Sequence, residues 1–315
     1  MNSQHLVDPA LKPLLDLFPM VMLSDETLPA MRTRKLPLPQ IDESTTTLER
    51  IPVPGPAGAP DVMLHVYRPI DTAAALPCIY HIHGGGYVAG AAKQIEYVHR
   101  PLAAALGCAI VSVDYRLAPE TVFPGAIEDC YAGLGWTIAH AGDLGIDPAR
   151  LGVMGESAGG GLAAALALLA RDRGEHRLAF QHLIYPMLDD RTCVHADPHP
   201  YAGEFIWPAH NNRFGWSALL GHEPGTGGVS PYAAPARATD LAGLPPTFIS
   251  TGALDLFVEE DIDYARRLMR VGVPTELHVY PGAFHGFDLM PGAAVSEAAR
   301  RDSRAALARF LAMTG

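Results

Sequence analysis

The chain has 315 residues, of which 49% are apolar and 18% charged, with 31 Gly and 28 Pro. That composition is globular: disorder requires far less apolar content, and collagen requires Gly at every third position. Its 23 basic and 34 acidic side chains leave a formal charge of −11, which repels phosphate backbones and anionic lipid heads and so disfavours nucleic-acid or membrane-surface partners.

The length suits one α/β core carrying an insertion better than two independent domains. Cys78, Cys108, Cys130 and Cys193 lie far apart, without the paired spacing of a zinc ribbon or a CxxC redox site. Residues 1–13 lack a basic stretch followed by an apolar one, and the longest apolar run, 159–170, is shorter than the ~20 residues a spanning helix needs. A soluble, cytoplasmic protein is expected.

Residues 1–45 hold short apolar patches (Leu11, Leu14, Leu15, Leu17, Phe18) broken by Pro9, Pro13, Pro19 and Pro29, which predicts short helices packed on another element. Beyond them, β-rich apolar runs alternate with helical patterns, the signature of a mostly parallel sheet with helices on both faces. Strands are predicted at 48–53, 62–67, 77–82, 109–113, 151–154, 180–185, 247–250 and 276–280. The first two form an antiparallel hairpin around Pro56-Ala57-Gly58, a link too short for a parallel crossover. Helices are predicted at 97–106, 125–139, 158–173, 259–271 and 294–310. Residues 187–245 break the rhythm with aromatic, His, Pro and Gly residues and read as an insertion.

Three loops carry chemistry. Gly155-Glu156-Ser157-Ala158-Gly159 is a GxSxG between an apolar strand and a helix rich in small residues, the context in which a strained turn lifts a serine hydroxyl above a sheet. The competing reading is a helix-capping serine. Upstream, a strand runs into His83-Gly84-Gly85-Gly86-Tyr87, where consecutive glycines let several backbone N–H groups converge on one small volume. Two of Gly84, Gly85 and Gly86, with Ala158 N–H, are the candidate oxyanion donors, and His83 is expected to brace the loop.

A serine nucleophile needs an imidazole base and a carboxylate to orient it. His285 and Asp255 each follow a predicted strand, at the edge where open α/β sheets build their sites. With Ser157 they fall in the order Ser, Asp, His, the order of an α/β-hydrolase. Asp255 could instead cap the next helix, and His285 could be a surface-loop histidine. Glu156 reads as a hydrogen-bonding neighbour of the serine, and Asp288 lies too close in sequence to His285 to be preferred as its orienter. The His195, Asp197, His199 and Cys193 group lacks metal-ligand spacing, so no metal is assigned. Phe205, Trp207, Phe214 and Trp216 either line a pocket or pack the insertion.

With these residues in place, the sequence resembles the hormone-sensitive-lipase-like serine esterases of the α/β-hydrolase superfamily, closest to bacterial acetyl esterases of the heroin-esterase type. The resemblance rests on His83 to Gly86, Asp114 to Glu120 with Phe123-Pro124, Gly155 to Gly160 and His285-Gly286-Phe287. It implies an eight-stranded, mostly parallel sheet with a helical cap. In that layout residues 1–45 and 187–245 form the cap, over a core of 46–186 and 246–315. It also implies Ser157, His285 and Asp255 as nucleophile, base and orienter, and a cofactor-free carboxylesterase acting on small short-acyl esters. Gly84, Gly85, Gly86 and Ala158 would form the oxyanion hole, while Tyr87, Tyr185, Phe205, Trp207 and Leu256 would line the substrate pocket. Arg116 and Glu120 become polar braces, and the resemblance allows a homodimer through the last strand and terminal helix. Departures are Asp255-Leu256-Phe257 where relatives often have Asp-Pro-Leu, and Glu156 where they often have Asp or Thr. An amidase or lactonase could use the same three residues. A ligand-binding receptor on this fold would lack the histidine.

Overall fold

The strands take their places through burial. The computed structural model, which describes residues 2–18, 20–34, 39–70, 72 and 75–313, forms one sheet from β1 (Thr46–Val53), β2 (Val62–Pro69), β3 (Leu76–Ile82), β4 (Ala109–Asp114), β5 (Ile146–Glu156), β6 (Gln181–Ile184), β7 (Thr247–Gly252) and β8 (Thr275–Tyr280). The spatial order is β1-β2-β4-β3-β5-β6-β7-β8. β2 runs antiparallel to β1 and β4, and the pairs from β4 through β8 are parallel. All seven residues of β3 are buried, as expected of a strand covered on both faces, whereas β1 at the edge is mostly accessible.

The predicted hairpin is present, its turn closed by Ala59 N–H donating to Pro56 O at 2.8 Å. β5 is longer than its predicted four residues. It begins at Ile146, paired with Leu76 of β3, and passes through the accessible stretch Asp147 to Arg150, whose polarity hides it from hydropathy.

The helices are α1 (Lys12–Leu17), α2 (Leu28–Thr33), α3 (Glu96–Leu106), α4 (Gly125–Ala139), α5 (Ala141–Leu144), α6 (Ala158–Arg173), α7 (Ala209–Leu220), α8 (Val258–Arg270) and α9 (Ala294–Leu311). α6 is buried from Ala158 through Ala170. A helix apolar all round belongs in the core, and its Ala and Gly content lets β5, β6 and α4 approach closely. Among the described residues no helix is long and apolar enough to cross a membrane.

The N-terminal segment and the 187–245 region hold each other. Leu23 N–H donates to Asn211 Oδ1 at 2.9 Å, Asn211 Nδ2 donates to Val21 O at 2.9 Å, and the Ser3 amide donates to Glu204 at 2.6 Å. Arg32 of α2 ties the segment to the rest of the chain, donating to Val88 O at 2.7 Å and Ala118 O at 2.8 Å and pairing with Glu120. The predicted brace role of Glu120 is thus toward α2.

The base of the 187–245 region is closed by a charge pair. Asp190, fully buried, receives Arg237 Nε at 2.6 Å and Nη2 at 2.8 Å, and Gly225 N–H at 2.7 Å. Removing one partner of a buried pair leaves an uncompensated charge. Arg237→Met should therefore cost about 3–5 kcal/mol, read as a lower denaturant midpoint; an unchanged midpoint would show that the pair does not anchor this region.

Candidate active site

β5 delivers the serine. Ser157 sits between β5 and α6 with φ 57° and ψ −124°, a conformation unfavourable for any side-chain-bearing residue. Two residues before and two residues after the serine, the turn has no room for a side chain. A Cβ at Gly155 would lie 2.2 Å from Gly159 O, and one at Gly159 would lie 2.1 Å from Ile82 O and 2.5 Å from His83 O. The elbow is therefore pressed against the end of β3 and the loop that leaves it.

The loops after β7 and β8 bring the other two residues to the hydroxyl. His285 Nδ1 lies 2.8 Å from Asp255 Oδ2, and His285 Nε2 lies 2.9 Å from Ser157 Oγ. A carboxylate only accepts, so Nδ1 carries the proton and Nε2 is left to accept from the serine hydroxyl. Asp255 is fully buried and its Oδ1 also accepts Phe257 N–H at 3.1 Å, just ahead of α8. Asp255 does not cap α8, whose N-cap position is Phe257 with no side-chain cap bond; its Oδ1 closes an Asx turn ahead of the helix while Oδ2 meets His285. Tyr185 meets the imidazole edge-on at 4.7 Å and Phe257 at 5.2 Å, fixing the ring plane. Asp288 is not the orienter: it accepts Tyr185 O–H at 2.8 Å while His285 Nδ1 faces Asp255, and burial pushes its carboxyl up from the ordinary value.

The glycine loop lies beside the elbow. Gly84 N–H donates to Glu156 Oε1 at 2.9 Å, and Glu156 Oε2 lies 2.8 Å from His81 Nε2. This corrects one expectation: the Gly84 amide is engaged by Glu156, which leaves Gly85, Gly86 and Ala158 as the candidate donors. The Ala158 amide belongs to the first turn of α6, where helical N–H groups lack intrahelical partners and the macrodipole favours negative charge. His83 turns away from the serine. Its Nδ1 donates to Gly84 O at 2.8 Å, its ring stacks on Tyr115 at 4.3 Å, and Tyr115 O–H donates to His83 O at 2.9 Å.

The α/β-hydrolase fold family model matches residues 79–289, a stretch that spans the glycine loop, the elbow and both loops carrying Asp255 and His285. The chain belongs to this family. It falls in the hormone-sensitive-lipase-like group. Carboxylesterase NlhH of Mycobacterium tuberculosis is 35% identical over 296 residues, covering 89% of this chain and 88% of the relative. An arylesterase of Saccharolobus solfataricus is 33% identical over 228 residues, 72% of this chain and 73% of that protein. Among solved structures, a bacterial heroin esterase is similar with a TM-score of 0.90 and 40% identity, covering 98% of this chain and 99% of the other.

The remaining candidate residues of this hydrolase separate into two groups. Tyr185 and Trp207 adjoin the site: the first through His285, the second because its indole rests on Gly86, where an added Cβ would fall 2.1 Å from the ring. Trp207 is held there by Nε1–H donating to Asn212 at 3.1 Å. Phe205 packs on Phe284 at 5.5 Å, next in sequence to His285. Tyr87 does not line an open pocket as expected. It is 1% exposed, donates to Met187 O at 3.0 Å and packs on Trp216, because a left-handed φ of 66° turns it into the core. Leu256 packs over Gly203 and borders a cavity of about 520 Å³. That cavity is also lined by His195, Asp197, His199 and Cys193, and by none of Ser157, Asp255 and His285. Arg116 braces Asp129, with contacts of 2.8 and 2.7 Å. Trp216 is fully buried and is a packing residue.

What sequence reasoning missed is the partner of Glu156. His81 stands on β3 two residues before His83, which lies just past the strand's end, and that spacing beside the glycine loop is a signal that could have drawn attention to His81. Burial raises the Glu156 carboxyl to about 7, against the pull of Gly84 N–H and His83. A carboxyl that binds its proton more tightly when folded contributes stability that is complete below its ordinary value of 4.5 and lost as pH rises through about 7. Glu156→Gln has no such proton to lose. Its denaturant midpoint should gain on the wild type between pH 5 and pH 8; a difference independent of pH would contradict the burial argument.

Proposed function

We propose that the protein hydrolyses carboxylic esters of small alcohols and short acyl chains through an acyl-enzyme formed on Ser157. The reading is carried by one observation: Ser157 Oγ within 2.9 Å of His285 Nε2, whose Nδ1 is 2.8 Å from the buried Asp255. The names of the relatives, carboxylesterase, arylesterase and heroin esterase, agree with it. The protein is a carboxylic ester hydrolase whose chemistry draws on side chains, backbone amides and water.

His285 takes the hydroxyl proton as Ser157 Oγ bonds to the ester carbon, and the carbonyl oxygen becomes an oxyanion. Asp255 holds the imidazole in the tautomer that can accept and stabilises the imidazolium. Amides of Gly85, Gly86 and Ala158 receive the oxyanion. His285 then gives the proton to the departing alkoxide, leaving alcohol and acyl-serine. Water attacks the acyl carbon with the same base, and the carboxylic acid leaves as the Ser157 proton returns. The N-terminal segment and residues 187–245 act together as a cap over the core formed by 46–186 and 246–315.

Short-acyl preference is supported by Trp207. Its ring is 6% exposed, bonded to Asn212 and seated on Gly86, so it closes the space at the glycine loop. Ser157→Ala should lower kcat for p-nitrophenyl acetate by at least about 10⁴-fold, since a missing nucleophile disables the set as a unit. Retained activity would overturn the nucleophile. On the wild type, kcat/KM should be higher for the acetate than for the eight-carbon ester, and Trp207→Leu should narrow that gap; faster turnover of the longer ester by the wild type would overturn the acyl preference.

A further inference from the structure

Behind the glycine loop the sheet buries a second polar chain that the proposed reaction does not use. β3 pairs His81 with Ser112 of β4 and with Met154 of β5. Side chains alternate along a strand, so Glu156, two residues beyond Met154, shares the face of His81. There Ser112 Oγ lies 2.9 Å from His81 Nδ1, His81 Nε2 lies 2.8 Å from Glu156 Oε2, and Glu156 Oε1 accepts Gly84 N–H at 2.9 Å. Ser112 is fully buried and His81 1% exposed. From α3, His99 presses its ring on His81 at 4.2 Å with an interplanar angle of 71°.

We infer that His81 is a positioning residue for ester hydrolysis: fixed by Ser112, it fixes Glu156, and Glu156 holds the Gly84 amide so that Gly85 and Gly86 present theirs to the oxyanion. The inference rests on the esterase reading above. Three features carry it. The chain of contacts is continuous from Ser112 to the glycine loop. The loop has little other freedom, since a Cβ at Gly84 would lie 2.8 Å from Glu156 O and 3.3 Å from the Ser157 Cβ. And an imidazole can satisfy Glu156 in either protonation state.

That third feature follows from burial. It lowers the His81 imidazole to about 3, with His83 adding to the effect, so the ring is neutral and has one N–H and one bare nitrogen. Beside an ionised Glu156, Nε2–H donates to the carboxylate and Nδ1 accepts from the Ser112 hydroxyl. Beside a protonated Glu156, Nε2 accepts and Nδ1–H donates to Ser112 Oγ. Gly84 N–H stays bound in both arrangements. The other titratable groups around this chain include His65 of β2, Asp114 of β4 facing His65 and His83, His83 and Tyr115 of the loops, Tyr97 and His99 of α3, and Tyr185 and Asp288 near His285. Among the described residues neither ring nitrogen of His99 has a hydrogen-bond partner, so it contributes packing and no competing hydrogen bond to His81.

The test compares wild type, Ser157→Ala, His81→Leu, His81→Gln and Ser112→Ala on p-nitrophenyl acetate from pH 5 to 9, with folded sites counted by titration with a p-nitrophenyl phosphonate. A displaced oxyanion donor costs on the order of 10–100-fold in rate. His81→Leu should lose that much kcat per titrated site with KM within about threefold of wild type, the split expected when only the transition state is affected. His81→Gln, whose amide reaches the same place with either a donor or an acceptor, should recover most of the loss. A kcat for His81→Leu equal to that of wild type, or a His81→Gln as impaired as His81→Leu, would overturn the inference. Should His81→Leu not fold, Ser112→Ala decides. It removes one hydroxyl and should lower kcat several-fold at unchanged KM, and wild-type kcat there would overturn the inference. If wild type itself does not exceed Ser157→Ala, the esterase reading fails instead.

Discussion

The backbone at Ser157 is the constraint from which the site follows. A residue with a side chain at φ 57° and ψ −124° costs roughly 1–3 kcal/mol and persists only where its surroundings over-determine it. Here they do: Ser157 N–H donates to Ile184 O at 2.9 Å, and Ser157 O accepts from Met187 at 2.9 Å and Gly161 at 3.0 Å. The turn is thereby stitched to the end of β6 and to the first turn of α6. Because α6 must start immediately, its N-terminal amide points at the serine. Because Gly159 leaves no room for a Cβ against Ile82 O at the end of β3 and His83 O just beyond it, the glycine loop must start there too.

The same crowding governs electrostatics. Around α8, burial pushes the carboxyls of Glu260 and Asp261 well above their ordinary range. Glu260 is met by the Leu188 and Asp189 amides and the Thr192 hydroxyl. Asp261 is fully buried and is best accommodated as a neutral acid. Asp255, by contrast, has the Phe257 amide and an imidazole to meet its two oxygens. Asp255, Glu260 and Asp261, close in sequence, thus receive different environments, and of these three only Asp255 faces His285.

Much of this was legible in the sequence, for physical reasons. The eight strands read from apolar runs because most of them are buried on both faces. The elbow, the glycine loop and the two loops after β7 and β8 read from residue types that few other structures require. What escaped was conformation and pairing. Tyr87 looked like a pocket residue until its positive φ turned it inward. Three adjacent glycines looked equivalent until Glu156 took the amide of Gly84. α7 was hidden because Asn211 and Asn212, buried and polar, bond to Val21, Leu23 and Trp207 and so interrupt its apolar pattern.

The central claim is that one hydroxyl, one imidazole and a set of backbone amides converge on a single ester carbonyl. A crystal structure of the protein after reaction with a p-nitrophenyl alkylphosphonate tests it most directly. Phosphorus should be bonded to Ser157 Oγ, with the phosphoryl oxygen about 2.7–3.1 Å from the amides of Gly85, Gly86 and Ala158. Phosphorus on any other residue, or a phosphoryl oxygen turned away from those amides, would contradict it.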